Sequence, residues 1–275
     1  MIRIVTDSTS MLPTTLRDRY VVDVVPMTIT IDDVEYHEGH DLTTADFYDR
    51  LATGATVTTA APSPGAFLDA YRRAAASGAR EVLSIHTGSN FSAVVSAATV
   101  AAALAQTPVT IVDTELVSFP VTLCIWAAGE AIARGDAVGD AAASARFVAS
   151  STGSVFVVGV PELARRGGRF VGVTGPLAAT SIIELDANGM RQIDRVDDVE
   201  AALDSMVRHT IALARERPLR IGVGDARRQN MGDELAARLQ GVPGIAEVVR
   251  YDVGPSVGAH TGAGSVGVVY APAAV

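Results

Sequence analysis

The chain contains no lysine, so all 22 of its basic residues are arginines. This absence excludes Schiff-base chemistry, a phosphate-loop lysine and a lysine general base. Cysteine is nearly absent too, and the single Cys124 excludes a disulfide framework or a cysteine-rich metal or iron–sulfur site. Cys124 lies in the apolar stretch 121–128, where we expect a buried structural thiol and not a nucleophile.

Long hydrophobic runs and an excess of positive charge are also missing. The stretch 121–128 is far shorter than the ~20 residues that span a membrane, so we predict no integral membrane segment. The start, 1–6, looks like a strand and lacks the apolar region of a signal peptide, which predicts a reduced, cytoplasmic protein. The formal net charge of −9 argues against a nucleic-acid binder, which would need a basic face. Small molecules and protein partners remain.

The patterns that are present indicate an α/β fold with two domains. Apolar runs of strand length alternate with helical patterns over the first ~150 residues, which predicts a parallel, doubly wound sheet. Farther on, Asn188-Gly189 between two strand-like runs predicts a hairpin, and the second sheet should therefore have mixed strand directions. We predict an N-terminal domain over residues 1–153 and a C-terminal domain over residues 154–275.

Polar side chains follow several of the predicted strands. The strand 81–85 leads into a turn with Ser89 and Ser92 and then into a long helix, a geometry whose free N–H groups and helix dipole bind an anion. Without a lysine, this place suits one carboxylate or phosphate, although the two serines could instead only cap the helix. Asp7 and Ser8 follow the first strand, where they either border a ligand or cap the next helix. Thr59 lies in an extended run that should present its hydroxyl.

The segment His37-Glu-Gly-His40-Asp41 has the composition of a metal site. Gly39 favours a loop, and no further cluster of His, Cys or Glu completes a ligand set, so we predict that the chain binds no metal.

The glycine-rich stretch 254–267 predicts a loop that a ligand can approach closely. Its second half, Gly262-Ala-Gly-Ser-Val-Gly267, matches the dinucleotide fingerprint. Only eight residues follow, none of them acidic, so the βαβ unit of that fingerprint cannot form and we expect no nucleotide cofactor. Its first half, Gly254-Pro-Ser256-Val-Gly258, matches the nucleophile elbow of hydrolases. An esterase-like hydrolase that uses Ser256 and His260 therefore stays open as an alternative.

Five segments, in order along nearly the whole chain, resemble the DegV family. They are Ile4-Val-Thr-Asp7-Ser-Thr-Ser-Met-Leu-Pro13, Thr59-Ala-Ala-Pro62-Ser63-Pro64, Ser84-Ile-His-Thr-Gly-Ser89-Asn-Phe-Ser92-Ala, Arg166-Gly-Gly-Arg169-Phe and Gly258-Ala-His260-Thr-Gly-Ala-Gly264. Within them, Ala60-Ala61 replace the usual Ser-Gln of the family, and Ala93 replaces a glycine beside Ser92.

The resemblance implies two α/β domains with one fatty acid buried between them. In the family, the carboxylate is held by residues that match Thr59 and Ser92, with the histidine that matches His260 close by, and Ser89 and Thr261 lie in the same polar segments. A separate kinase subunit phosphorylates the carboxylate with ATP. The arginines that match Arg169 and Arg195 are implicated in that transfer or in docking.

On this resemblance the chain is a non-enzymatic fatty-acid carrier of a fatty acid kinase complex in phospholipid metabolism. The binding of another small anion remains an alternative. Each buried methylene would contribute roughly 0.8 kcal/mol, so the acyl tail would supply most of the affinity.

Overall fold

The computed structural model describes residues 1–161 and 181–273. The chain divides into two compact units, Met1–Ala149 and Ser150–Val275. Each unit combines helices with β-sheet, and the predicted α/β class is confirmed, with a parallel sheet in the first unit and a mixed sheet in the second.

The first unit is built around a parallel sheet of four strands. These strands are β1 (Ile2–Asp7), β2 (Val22–Val25), β6 (Glu81–His86) and β7 (Val109–Asp113), in the spatial order β2-β1-β6-β7. The helices are α1 (Thr14–Tyr20), α2 (Thr44–Ala52), α3 (Pro64–Ala76), α4 (Val94–Leu104), α5 (Phe119–Arg134) and α6 (Val138–Ser151). Because the strands run parallel, the carboxyl ends of β1, β6 and β7 lie at one edge, where ligands bind to such sheets.

A second, antiparallel sheet in this unit was not predicted as a sheet. It consists of β3 (Thr28–Ile31), β4 (Val34–His37) and β5 (Val57–Ala60), in the order β4-β3-β5. The turn between β3 and β4 places Asp32 and Asp33 at φ angles of 48° and 66°. A two-residue hairpin turn with both φ angles positive matches the twist of its strands, and Asp tolerates that conformation better than most residues.

Two helices of this unit begin at side-chain caps. The hydroxyl of Thr43 accepts a hydrogen bond from the N–H of Asp46, 3.1 Å away, at the start of α2. The hydroxyl of Ser63 accepts one from the N–H of Ala66 at 3.3 Å, with Pro64 in the first turn of α3. Proline is favoured there because its fixed φ is already helical and its missing N–H is not needed.

The second unit contains a mixed sheet of six strands. They are β8 (Gly153–Val157), β9 (Ser181–Asp186), β10 (Gly189–Arg195), β11 (Leu219–Asp225), β12 (Ile245–Asp252) and β13 (Val266–Pro272), in the order β10-β9-β8-β13-β11-β12. The helices described in this unit are α7 (Val199–Glu216), α8 (Gln229–Leu239) and α9 (Pro255–Thr261). The hairpin through Asn188-Gly189 is confirmed as the antiparallel pair β9–β10.

The glycine-rich stretch is not the predicted loop. Pro255 starts the helix α9, a short turn follows, and β13 begins at Val266. Gly262 and Gly264 in this turn have φ angles of 73° and 98°. The prediction was wrong because glycine was read as a sign of a loop, whereas here it ends a helix and makes a tight turn at positive φ.

Cys124 is fully buried within α5. Burial raises the pKa of its thiol far above the ordinary value. Residues 1–161 and 181–273 include no helix that is both long enough and apolar enough to cross a membrane.

Candidate functional site

Asp7 is the centre of a buried polar cluster at the carboxyl end of β1. Its carboxylate is fully buried and accepts hydrogen bonds from the N–H of Thr9 at 3.1 Å and from the N–H and hydroxyl of Thr87 at 3.1 and 3.2 Å. Nδ1 of His86 lies 3.0 Å from the same carboxylate. A buried charge is costly unless it is paired and hydrogen-bonded, and these partners meet that need.

The cluster continues from His86 into the packing of two helices. Nε2 of His86 lies 2.6 Å from Oγ of Ser84. The same Oγ lies 2.9 Å from the hydroxyl of Tyr71 on α3, which also reaches the carbonyl of Ala98 on α4 at 3.4 Å. We call Asp7, His86, Ser84 and Tyr71 the His86 network.

Burial and hydrogen bonds determine the protonation of Asp7 and Tyr71, the two ends of the His86 network. Burial by itself would raise the pKa of Asp7, but the hydrogen bond and charge of His86 and the N–H of Thr87 outweigh it, and the pKa lies below its usual value. Burial raises the pKa of Tyr71 to about 12, while the hydrogen bond with Ser84 acts in the opposite direction. At neutral pH Asp7 is therefore a carboxylate and Tyr71 a neutral phenol.

Hydrogen bonds along the network can run in two consistent directions. If Nε2 of His86 is unprotonated, it accepts from Ser84, which then accepts from Tyr71. If Nε2 carries a proton while Nδ1 still donates to the carboxylate of Asp7, Nε2 donates to Ser84, Ser84 donates to Tyr71, and the phenol donates to the carbonyl of Ala98. Each polar atom keeps a partner in both orders, which lets the network remain fully buried.

The distances within Asp7, His86 and Ser84 are those of a hydrolase triad. All three side chains are fully buried, however, and Ser84 lies inside β6. A nucleophile must reach its substrate, so this arrangement fits a positioning role better than acyl transfer.

The turn after β6 is held rigidly in place. The N–H of Gly88 donates to the carbonyl of Leu116 at 2.7 Å, and a Cβ on Gly88 would lie 2.5 Å from Cα of Glu115. The N–H of Ser89 donates to Oδ1 of Asp113 at 3.1 Å, and Ser89 itself is exposed. The serine thus contributes its backbone to the turn and leaves its hydroxyl on the surface.

Ser92 and Thr59 stand before the first turns of two helices that pack against each other. Ser92 is partly exposed two residues before α4, and its N–H donates to the carbonyl of Gly88 at 3.1 Å. Ala93, at the N-cap of α4, provides no side-chain hydrogen bond. Thr59 is partly exposed in β5, opposite Ile29, on the segment that enters α3, and α3 packs on α4. Both predicted carboxylate ligands therefore belong to the first unit, on the segments that lead into two helices packed on each other.

His260 and Thr261 form the last turn of α9 in the second unit, and both are partly exposed. The hydroxyl of Thr261 donates to the carbonyl of Val257 at 3.3 Å. The carbonyl of Thr261 accepts the N–H of Val160 at 3.1 Å, and the hydroxyl of Ser265 accepts the N–H of Gly159 at 3.0 Å. These bonds fasten the end of α9 to the end of β8.

Ser256 does not have the geometry of a nucleophile elbow. It is the second residue of α9 and is buried, with 6% of its surface exposed. Its backbone is not at positive φ, so the strained turn that exposes a nucleophile is not formed. Pro255 before it starts a regular helix.

Of the two arginines predicted from the family resemblance, the described residues include only Arg195. Arg195 is exposed at the end of β10 and pairs with Ser181. In β9, Ser181 is followed by Ile182, which lies opposite Val157 of β8, and Val157 lies opposite Val266 of β13. Arg195 is therefore at the same end of the sheet as Val266, which follows the α9 turn, with two strands between them. Arg169 lies outside the described residues.

In the segment 37–41, which has the composition of a metal site, the structure shows one contact between side chains. Nδ1 of His37 lies 3.2 Å from Oδ2 of Asp41, with about half of each side chain exposed (53% and 45%). Within the described part of the chain, no three His, Cys, Asp or Glu side chains come together in a way that could hold a metal ion.

His86 was not among the predicted site residues. The signal that could have found it is the pair of polar residues Ser84 and His86, spaced by two in an otherwise apolar strand, together with Asp7 at the end of another strand. Alternate residues share one face of a strand. The observation that β1 and β6 are neighbours came only with the structure.

Comparisons with known proteins agree with this architecture. The family model described as "Uncharacterised protein, DegV family" matches residues 1–273. A DegV domain-containing protein from Streptomyces coelicolor is 33% identical over 273 residues, which cover 98% of this chain and 97% of that protein. Another from Mycobacterium tuberculosis is 29% identical over 271 residues, covering 96% of this chain and 95% of that one.

Solved structures show the same fold. One, described as fatty acid binding of a DegV family protein from Thermus thermophilus, is 27% identical with a TM-score of 0.87 and covers 98% of this chain and 99% of its own. The structure of DegV from Bacillus subtilis, 22% identical with a TM-score of 0.87 and 98% of each chain covered, supports the fold alone. The match of the family model over nearly the whole chain shows that this protein belongs to the DegV family.

Proposed function

We propose that this protein binds one long-chain fatty acid and holds its carboxylate with the hydroxyls of Thr59 and Ser92. The observation that carries the proposal is the place of Ser92 just before α4, whose N-cap provides no side-chain hydrogen bond, and of Thr59 on the strand that leads into α3, the helix packed on α4. Free N–H groups and the helix dipole at such a start favour an anion. The Thermus thermophilus relative, described as fatty-acid-binding, supports the choice of ligand.

The proposal divides the binding energy between tail and head group. Each buried methylene contributes roughly 0.8 kcal/mol, so a long acyl chain supplies most of the affinity. The hydroxyl contacts mainly prevent an unpaired buried charge, which would otherwise cost several kcal/mol. We include His260 in the head-group site on the basis of the family resemblance, and Thr261 and Ser89 because they lie in the same polar segments.

A separate ATP-dependent kinase subunit would then phosphorylate the carboxylate, and this chain would act as the carrier. The absence of any lysine fits that division of labour, since the chain offers no phosphate-loop lysine of its own. In this proposal Arg169 contacts the transferred phosphoryl group and Arg195, exposed at the end of β10, contributes to docking. Arginine suits both tasks because its planar guanidinium binds phosphate and carboxylate in a bidentate manner.

Native mass spectrometry of the purified protein, followed by organic extraction, tests the ligand. We expect a mass increment that disappears on extraction and a fatty acid in the organic phase. A preparation that neither carries a lipid nor takes up added oleate contradicts the proposal. Turnover of a chromogenic ester by such a preparation would instead revive the hydrolase alternative.

A further inference from the structure

We infer that the His86 network is a positioning device for the fatty-acid carboxylate, an inference that rests on the proposed function. The network connects α3 with α4 and with the turn before α4, and in this inference it thereby sets the position of Ser92 relative to the segment that carries Thr59. Neither Asp7 nor His86 touches the ligand in this mechanism. They act through the backbone that carries the ligand-binding residues.

The contacts with α3 form the first part of the device. Tyr71 of this helix binds Ser84 with its hydroxyl. Phe67, one turn earlier, sets its ring edge-on against the imidazole of His86, with 5.0 Å between the ring centroids. Both side chains are essentially fully buried. The middle of α3, the helix that follows the segment with Thr59, is thus fixed to β6 by one hydrogen bond and one aromatic contact.

The contacts with the turn and with α4 form the second part. Asp7 accepts both the N–H and the hydroxyl of Thr87, the first residue after β6. From there the turn runs through Gly88, whose carbonyl accepts the N–H of Ser92. Tyr71 reaches the carbonyl of Ala98 inside α4. The network is therefore connected to Ser92 through the turn after β6. It is connected to α4 through Tyr71 of α3.

Burial makes this device stiff. The four side chains of the network have exposures of 0–1%, so they make few excursions to water and each change of partner leaves a buried polar group unsatisfied. A hydroxyl pair that binds one carboxylate must be held to within about 0.5 Å of the productive geometry. A small change in the distance between α3 and α4 would change the distance between the two hydroxyls.

The test uses oleate labelled with ¹³C at the carboxyl carbon and the Tyr71→Phe variant. Phenylalanine keeps the ring and removes only the hydroxyl that connects Ser84 with Ala98. We expect the wild type to give one bound carboxylate signal distinct from that of free oleate. In the variant, at saturating oleate and with the protein fully folded, the signal should move or broaden and the affinity should fall about tenfold, which corresponds to roughly 1.4 kcal/mol.

Thr210→Val is the matched control. It also removes one buried hydroxyl and one hydrogen bond, the one to the carbonyl of Met206 within α7, and should leave the carboxylate signal unchanged. If Tyr71→Phe also leaves the signal and affinity unchanged at saturation, the network only stabilises the fold and the inference is wrong. If Tyr71→Phe does not fold, Ser84→Ala interrupts the His86 network at the neighbouring residue. The carboxylate signal of that variant then decides the question in the same way. A wild type without any bound signal contradicts the proposed function itself and removes the inference with it.

Discussion

The carboxylate of Asp7 lies 3.0 Å from Nδ1 of His86, although the two residues are 79 positions apart in the chain. The contact exists because β1 and β6 are parallel neighbours whose carboxyl ends meet at one edge of the sheet. Both side chains are fully buried. The segments that follow these strands carry the turn before α4, so a contact in the core bears directly on the surface proposed to bind a ligand.

Replacement of Asp7 by Asn should destabilise the fold in a pH-dependent manner. Removing a buried, hydrogen-bonded charge costs about 3 kcal/mol. Because folding lowers the pKa of Asp7 below its ordinary value of 3.8, its contribution is fully present above that value and is lost as the pH falls through the folded pKa. Urea denaturation at pH 7 and at pH 3 should therefore show a large difference between variant and wild type at pH 7 and a smaller one at pH 3. An equal difference at both values would mean that the ionised carboxylate contributes no stability.

Ser92→Ala should weaken fatty-acid binding and leave the fold intact. The loss of one hydroxyl that binds a buried carboxylate costs roughly 1.5–3 kcal/mol, a decrease in affinity of about tenfold to 150-fold. Titration with oleate followed by calorimetry measures the affinity, and circular dichroism checks the fold. Ser96→Ala is the control, since Ser96 is an exposed serine of α4, one turn after Ser92. Unchanged affinity in Ser92→Ala would remove Ser92 from the site.

Arg169→Ala should bind lipid as the wild type does and be a poor substrate for the partner kinase. The reason is that we assign its guanidinium to the transferred phosphoryl group and not to the acyl chain. Transfer of radiolabelled phosphate from ATP, with native mass spectrometry for the lipid, separates the two effects. Arg72→Ala, an exposed arginine paired with Asp69 in the first unit, serves as the control. Loss of lipid uptake in Arg169→Ala would place the arginine in the binding pocket.

Gly88→Ala should lower stability by roughly 1–3 kcal/mol, because the added Cβ has no room. It would lie 2.5 Å from Cα of Glu115, in a turn whose backbone is fixed by hydrogen bonds. Gly139→Ala is the matched control, since nothing lies within 4 Å of the Cβ it would add; there we expect no loss and even a gain of a few tenths of a kcal/mol. Thermal unfolding of the two variants gives the comparison. Equal midpoints would show that the turn adapts to the extra methyl group.

The thiol of Cys124 should not react with Ellman's reagent in the native protein. It is fully buried, and burial raises its pKa so far that the reactive thiolate is absent near neutral pH. In 6 M guanidinium chloride we expect one reactive thiol per chain. Rapid reaction of the native protein would mean that α5 opens on the time scale of the assay.

Much of the fold could be predicted from the sequence because the signals are local. The alternation of strands and helices, the caps at Thr43 and Ser63 and the turn at Asn188-Gly189 all follow from short-range preferences of the backbone. The antiparallel sheet β3-β4-β5 was missed because β4 is short and mostly exposed, so its four residues give no clear apolar pattern. The glycine-rich stretch was assigned to a loop because the same residue type serves loops, helix ends and tight turns.

In the candidate site, too, some features follow from local sequence and others only from contacts between distant segments. The place of Ser92 between a strand and a helix, and of Thr59 in an extended run, could be predicted from local pattern, whereas their assignment to a carboxylate rests on the family resemblance. The link between Asp7, His86, Ser84 and Tyr71 depends on which strands are neighbours and on how α3 packs on β6 and α4. Strand order depends on contacts between distant parts of the chain, and no local pattern encodes it. Composition and local pattern therefore determined the chemistry available to this protein, while only the tertiary structure decided which buried groups hold that chemistry in place.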